Sequence, residues 1–363
     1  VEPADQPLQP GAESPSRFLE DLAAVPPTPH GDAALPGHTS DLIQQIKESA
    51  DKLAADHTSR GDLKILSRTL RELRYAFKVF APYRLRRKVT VFGSARTPPS
   101  HPSYRQAVEF GRAMAAEGWL VVTGAANGIM EAGHVGAGRE HAMGLNILLP
   151  SAQLSNSIIA GDPKLVHMKY FFTRKLMFVK ECHAICLLPG GFGTLDEGLE
   201  VLTLLQTGKR DMVPVVFLDE PGGDYWQSFQ QFIQQSLLAR GMIAPDDMAL
   251  YKLTDNVADA VAEILGFFRV YQGMRYVRRQ LVLRLSQAPS AACLDEINRS
   301  FADLLVSGRF TVGGPLPEEQ DEPKLMDLPR LIFHFNRRDF GRLRLLIDCL
   351  NRDVPSSTGT GAL

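Results

Sequence analysis

The stretch Ala184-Ile185-Cys186-Leu187-Leu188-Pro189-Gly190-Gly191-Phe192-Gly193-Thr194-Leu195-Asp196-Glu197 decides how the rest of this chain is read. Its first five residues are all apolar. A strand with one wet face would alternate, so residues 184–188 fit a strand covered on both faces, as in a parallel sheet. Three glycines within four positions then let the backbone turn tightly. A helical pattern follows over residues 195–206 and stops at Gly208. Strand, glycine turn and helix form the repeating unit of a doubly wound α/β fold.

Outward from this stretch the unit recurs. Short apolar runs predict strands at residues 89–92, 119–123, 145–149, 165–168, 213–218 and 250–253. Between them, helical periodicity covers residues 104–117, 129–141, 172–181 and 225–239, and a last helix runs from a cap at Asp255 to about residue 268. The expected fold class is α/β: a doubly wound, mostly parallel, Rossmann-like sheet over residues 88–268. Before it, residues 40–87 read as N-terminal helices, with Ser40 capping a helix to about residue 56 and a second helix over 61–80. Residues 1–39, rich in Pro, Ala, Gly and Ser, read as a flexible tail with a short helix at 18–23. The cluster Arg84, Arg86, Arg87, Lys88 is either a solvated turn or an anion-binding edge. Past residue 271 the order changes to strand 280–285, helix 291–305, strands 309–312 and 331–335, and helix 339–350. Residues 269–363 thus form a small α+β domain of order β-α-β-β-α, with an acidic, proline-containing loop at 318–322, suited to oligomerisation or regulation.

Composition bounds the function. A formal net charge of -1 gives no global attraction to nucleic acid or anionic membrane. No apolar run reaches the roughly 20 residues that a membrane helix needs, and the N-terminus lacks a signal-peptide pattern, so the expected compartment is the cytoplasm. Cys182, Cys186, Cys293 and Cys349 are too scattered for a disulfide scaffold. Cys182, His183 and Cys186 lack a second ligand pair at zinc spacing, so they read as packing residues, and no metal and no cofactor is expected.

In an open parallel sheet, ligands bind beyond the carboxyl ends of the strands. The turn at Gly190, Gly191 and Gly193 lies there. Free N–H groups at the helix start, together with the helix dipole, favour an anion, phosphate above all, and Thr194 adds a hydroxyl. Thr194 and Glu197 also have the spacing of a capping box, a purely structural alternative. Neither the P-loop nor the Gly-x-Gly-x-x-Gly spacing is met.

Pro189-Gly190-Gly191-Phe192-Gly193-Thr194-Leu195-Asp196-Glu197 resembles the Pro-Gly-Gly-x-Gly-Thr-x-x-Glu signature of the LOG family, cytokinin-activating and related nucleotide phosphoribohydrolases often labelled lysine decarboxylases. Supporting elements are Arg174-Lys175 on the preceding helix, the turn Gly124-Ala125-Ala126-Asn127-Gly128 and the segment 91–96; the resemblance spans about residues 86–265. It implies hydrolysis of the N-glycosidic bond of a nucleoside 5'-monophosphate, AMP or a cytokinin riboside monophosphate, to free base and ribose 5-phosphate. It also implies Glu197 and Arg174 as the catalytic pair, and at least a homodimer. Gly190, Gly191, Gly193 and Thr194 would grip the phosphate, with Ser94, Gly124, Glu131 and Lys175 as further substrate-binding candidates. The family usually has three consecutive glycines where this chain has Gly124-Ala125-Ala126, a departure that bears on the ribose or base end of the pocket. The alternative is a non-catalytic nucleotide or phosphorylated-cofactor binder or sensor. Two other readings are disfavoured. A decarboxylase would need a pyridoxal phosphate lysine, which nothing marks in Lys175. A nicotinamide-dependent dehydrogenase would need the missing fingerprint.

Overall fold

The computed structural model describes residues 39–149, 155–320 and 322–353; the expected tail and its short helix at 18–23 fall outside them. The chain divides into two compact units, Val1–Ile65 and Leu66–Leu363. The described part of the first holds helix α1, Ser40–Ala55, none of whose residues is buried. Helix α2, Arg60–Phe80, begins in the first unit and buries Glu72, Ala76 and Phe80 in the second.

The second unit is built on a seven-stranded parallel sheet with strands β1 (Lys88–Phe92), β2 (Leu120–Thr123), β3 (Ala142–Ile147), β4 (Leu165–Met168), β5 (Ala184–Leu187), β6 (Val215–Leu218) and β7 (Lys252–Thr254). The spatial order is β4-β3-β2-β1-β5-β6-β7. The chain therefore winds outward in one direction from β1 to β4, then returns to pair β5 on the other side of β1, with Val89 opposite Ala184. That reversal creates a crevice between the ends of β1 and β5. The connecting helices are α3 (Pro102–Ala116), α4 (Ile129–His141), α5 (Phe171–Glu181), α6 (Phe192–Gln206), α7 (Tyr225–Phe232) and α8 (Val257–Phe267).

Alternation along each strand sends neighbouring side chains to opposite faces. On β1 and β5, Val89, Val91, Ala184 and Cys186 join α3, α4 and α8 through Phe110, Ile129 and Ile264. Phe92, Ile185 and Leu187 instead join Met177 and Phe178 of α5 and Val201 and Leu205 of α6. Both faces are covered, which is why these strands read as unbroken apolar runs. All four cysteines are buried and free, as packing residues.

Several local expectations are corrected. Asn256, not Asp255, caps α8, its side chain accepting from the Asp259 amide at 3.2 Å; the Asp255 carboxylate is occupied by the Gly222 amide, also at 3.2 Å. Helix α7 ends at Phe232 and continues as a π turn, Ile233–Leu238. A 3-10 turn at Pro245–Leu250 delays β7. The basic cluster forms no anion-binding edge at Arg87 or Lys88. Lys88 is 1% exposed, donates to the carbonyls of Tyr83 and Arg86, and lies 3.7 Å from Glu181. Arg87 stacks 3.9 Å over the Phe268 ring and donates to Gln272.

The C-terminal part is a four-stranded antiparallel sheet of order β10-β11-β9-β8, from β8 (Tyr271–Val277), β9 (Gln280–Leu285), β10 (Leu305–Gly313) and β11 (Arg330–Phe335), with helices α9 (Ala291–Ser300) and α10 (Phe340–Arg352). Strand β8 was not expected. It buries Tyr271, Met274 and Val277 at intervals of three, and a register shift between Tyr271 and Gly273 breaks its alternation. The order is thus β-β-α-β-β-α. Its core is continuous with the parallel sheet: Leu283, Phe333, Phe340 and Leu346 belong to the same apolar cluster as Leu187, Leu205 and Phe217.

Candidate active site

Beyond the ends of β1, β2, β3 and β5 lies a cavity of about 770 Å³. Its position follows from the strand order, since the loops after β1 and β5 part at the reversal. The Ser94 amide, after β1, donates to the Pro189 carbonyl, after β5, at 3.1 Å, and the Ile129 amide, at the start of α4, donates to the Ser94 carbonyl at 3.0 Å. Tyr225, on α7, donates its hydroxyl to the Gly190 carbonyl at 2.5 Å, holding the glycine turn from behind.

Helix α6 begins at Phe192 with Gly191 as its N-cap and no side-chain cap. Thr194 is therefore the third helical residue, and the Thr194–Glu197 capping box does not form. The terminal amides are left without a capping side chain where the cavity reaches Gly190, Gly191, Gly193 and Thr194. The glycines differ in why they are bare. A Cβ on Gly190 would lie 2.1 Å from Thr194 Oγ1 and 3.0 Å from the Ser94 amide, so the loop itself excludes a side chain. A Cβ on Gly191 or Gly193 would meet nothing within 4 Å; there the space in front of the backbone is open.

Glu197 lines the same cavity from the next turn of α6. It is 5% exposed and its Oε2 makes no hydrogen bond. Burial pushes its carboxyl up to about 7, against the pull of Lys175 and Arg174. Arg174, on α5, lines the cavity between the rings of Phe171 and Phe178, at 5.0 and 5.6 Å from their centroids. Its Nε makes no hydrogen bond. Burial lowers its guanidinium, with Glu197 and Asp196 opposing. Gly124 lies beside it: a Cβ there would sit 3.6 Å from Arg174 Nη1. A buried carboxyl and a half-buried guanidinium, each with an unused polar atom, thus share one cavity with a helix N-terminus.

Of the ten residues singled out from the sequence, eight line this cavity: Glu197, Arg174, Gly190, Gly191, Gly193, Thr194, Ser94 and Gly124. Glu131 and Lys175 are not among the lining residues. Each follows a lining residue, Met130 or Arg174, and one helical step turns a side chain by about 100°. Glu131 lies against Tyr104 of α3, whose phenol is raised by burial and then by that carboxylate. Lys175 bridges Asp196 at 2.7 Å and Glu200 at 2.5 Å on α6. Burial works against its ammonium, but these two partners hold it above its ordinary value. Two further residues were missed. Asn146, the polar residue near the end of apolar β3, lines the cavity at 2% exposure, and a lone amide there was the available signal. Tyr225 carried no sequence signal, because its role depends on where α7 docks.

The second turn compensates for its alanines. Ala125 adopts φ 57°, in the left-handed region. It is held there from both sides: its amide donates to Thr123 Oγ1 at 3.0 Å, and its carbonyl accepts from the Asn156 amide at 2.8 Å. Asn156 Nδ2 donates to the Ala126 carbonyl at 3.1 Å and lies 3.2 Å from Nδ1 of buried His134. Burial pulls His134 down to about 4, so the ring is neutral at pH 7. Its Nε2 lies 2.9 Å from the Met143 carbonyl, which can only accept. Nε2 therefore carries the proton, and Nδ1 is free to accept from Asn156.

Fold and cavity together define a Rossmann-like α/β protein with a cavity at the topological switch point. The family described as "Possible lysine decarboxylase" matches residues 122–264. A cytokinin riboside 5'-monophosphate phosphoribohydrolase of Mycobacterium tuberculosis is 28% identical over 166 residues, 45% of this chain and 86% of that protein. A protein of Oryza sativa subsp. japonica named as a probable enzyme of the same kind is 30% identical over 186 residues, 49% of this chain and 71% of that protein. Among solved structures, the molybdenum cofactor carrier protein of Chlamydomonas reinhardtii aligns at 20% identity and a TM-score of 0.35, covering 49% of this chain and 94% of that one. The chain belongs to the LOG family.

Proposed function

We propose that this protein hydrolyses the N-glycosidic bond of a nucleoside 5'-monophosphate, AMP or a cytokinin riboside monophosphate, releasing the free base and ribose 5-phosphate. The observation that carries this reading is Glu197: a buried carboxylate with an unpartnered oxygen, in one cavity with an uncapped, glycine-lined helix N-terminus. The amides of Gly191 and Gly193, with the Thr194 hydroxyl, take the 5'-phosphate beside Gly190. That grip, remote from the reacting bond, supplies binding energy to position the sugar.

Cleavage passes through an oxocarbenium-like state, with positive charge on the ribose and negative charge on the departing base. Ionised Glu197 stabilises the sugar cation and orients the attacking water. That water's oxygen bonds to the anomeric carbon as the carbon–nitrogen bond breaks, and its proton ends on the base. Arg174 faces the opposite charge, polarising the base or bridging to phosphate.

Phe171 and Phe192 line the cavity and are exposed, Phe192 at 93%, and Phe172 and Leu176 are exposed on α5. So much bare aromatic surface supports a homodimer or larger assembly covering this face, with the C-terminal part, residues 269–363, stabilising it or regulating it. The expected setting is the cytoplasm, with a small nucleotide and no nucleic acid or membrane as partner. No helix among the described residues is long and apolar enough to cross a membrane.

The test is direct. Purified protein incubated with AMP should release adenine, detected by chromatography. Tight nucleotide binding without base release from any of several monophosphates would instead make the protein a binder or sensor.

A further inference from the structure

Three buried polar atoms make no hydrogen bond and belong to residues lining the cavity: Glu197 Oε2, Arg174 Nε and Asn146 Oδ1. The chemistry above uses the first two and leaves the third idle. Leaving a buried acceptor unmet costs about 1–3 kcal/mol, so an amide in that state at a cavity wall points to a ligand donor. Asn146 Nδ2 is already engaged, donating to Ser155 Oγ at 2.7 Å, and the carbonyl is the half left over.

Its place along the sheet says which part of the ligand it meets. The phosphate cradle sits at the end of β5, and the sheet runs β5-β1-β2-β3 from there to Asn146. Three strand spacings make roughly 14 Å, the reach of an extended nucleoside monophosphate from phosphate to the far edge of its base. The same cavity has an apolar lining from Ala126, Met130, Ile147 and Leu149, which suits the faces of a flat heterocycle.

We propose that Asn146 is the base-reading residue, its side-chain carbonyl accepting a hydrogen bond from an exocyclic amino group on the base. The inference rests on the hydrolase reading and adds a rule to it. Bases with an amino group at that edge are preferred over their oxo counterparts, whichever ring carries it. An oxo group would set acceptor against acceptor at a desolvated site, a mismatch that a cavity built around one hydrogen bond rejects strongly.

The test uses the full chain carrying Glu197→Gln, so that nucleotides bind without turnover, titrated calorimetrically with AMP, IMP, CMP and UMP. AMP should bind at least about tenfold more tightly than IMP, and CMP than UMP. Adding Asn146→Leu should bring both ratios close to one, whereas Asn146→Asp, which keeps an acceptor, should preserve the preference. Equal binding of amino and oxo partners by the Asn146-containing chain overturns the inference, and needs no Asn146 variant to fold. Ratios unmoved by Asn146→Leu overturn it as well. Failure of all four nucleotides to bind removes the hydrolase reading itself, and this inference with it.

Discussion

At the residue scale, Gly190 and Gly191 are adjacent and face opposite surroundings. Gly190→Ala drives a Cβ to within 2.1 Å of Thr194 Oγ1, so it should distort the turn and lower stability by about 1–3 kcal/mol, read by urea denaturation. Gly191→Ala and Gly193→Ala meet no protein atom within 4 Å. Both should keep wild-type stability and raise the KM for AMP, because the methyl occupies the ligand's space. Glu197 is expected to act ionised, so kcat/KM should rise with pH through an inflection near 7. Its stability effect has the opposite sense. With the folded carboxyl raised above its ordinary value, the native state holds more protons than the unfolded chain between about pH 4.5 and 7. Stability therefore falls across that window, and a penalty of about 3 kcal/mol is fully present above it. Glu197→Gln should abolish base release yet raise Tm at pH 8, with little change at pH 4; an equal gain at both would rule out the buried-carboxylate account. Glu197→Gln and Arg174→Ala should each cut activity by orders of magnitude, and the double variant far less than multiplicatively if the two act as one unit.

At the element scale, the turn after β2 depends on residues distant from it in sequence. Asn156 serves the Ala125 carbonyl, the Ala126 carbonyl and His134 Nδ1 together. Asn156→Ala keeps the backbone bond to the Ala125 carbonyl but leaves the Ala126 carbonyl and His134 Nδ1 without their donor, and should cost about 2–4 kcal/mol in urea denaturation. It should also raise KM, since Ala126 lines the cavity. Most strands and helices of the parallel sheet were legible as apolar runs and helical periods, because burial on both faces leaves little ambiguity. Strand β8 was not legible, since burial at every third residue matches neither a strand nor a helix. The cap of α8 was missed by one residue because Asp255 and Asn256 are equally good caps; the Gly222 amide, from another loop, claimed the first.

At the scale of the whole molecule, the change of element order after residue 268 marks a change of sheet within one compact unit. Asn351 of α10 receives the Val270 and Tyr271 amides and donates to the Phe267 carbonyl. Arg344 pairs with Glu263 of α8, and the Phe340 ring lies where a Cβ on Gly208 would be. Truncation after residue 268 would strip these partners and open the shared apolar cluster. Such a chain is expected to lose its cooperative unfolding transition by circular dichroism, so loss of activity in it would not speak to catalysis.

The sequence by itself determined the α/β class, the glycine turn at Gly190–Gly193 and the helix bearing Glu197, because those depend on local periodicity and on the absence of side chains. Only the tertiary structure decided that Arg174 and Asn146, on separate elements, line one cavity with Glu197, and that Lys175 and Glu131 do not. Strand order sets which loops meet at the reversal, and a single helical step sets which side chain faces it. Neither is encoded in the spacing of residues along the chain.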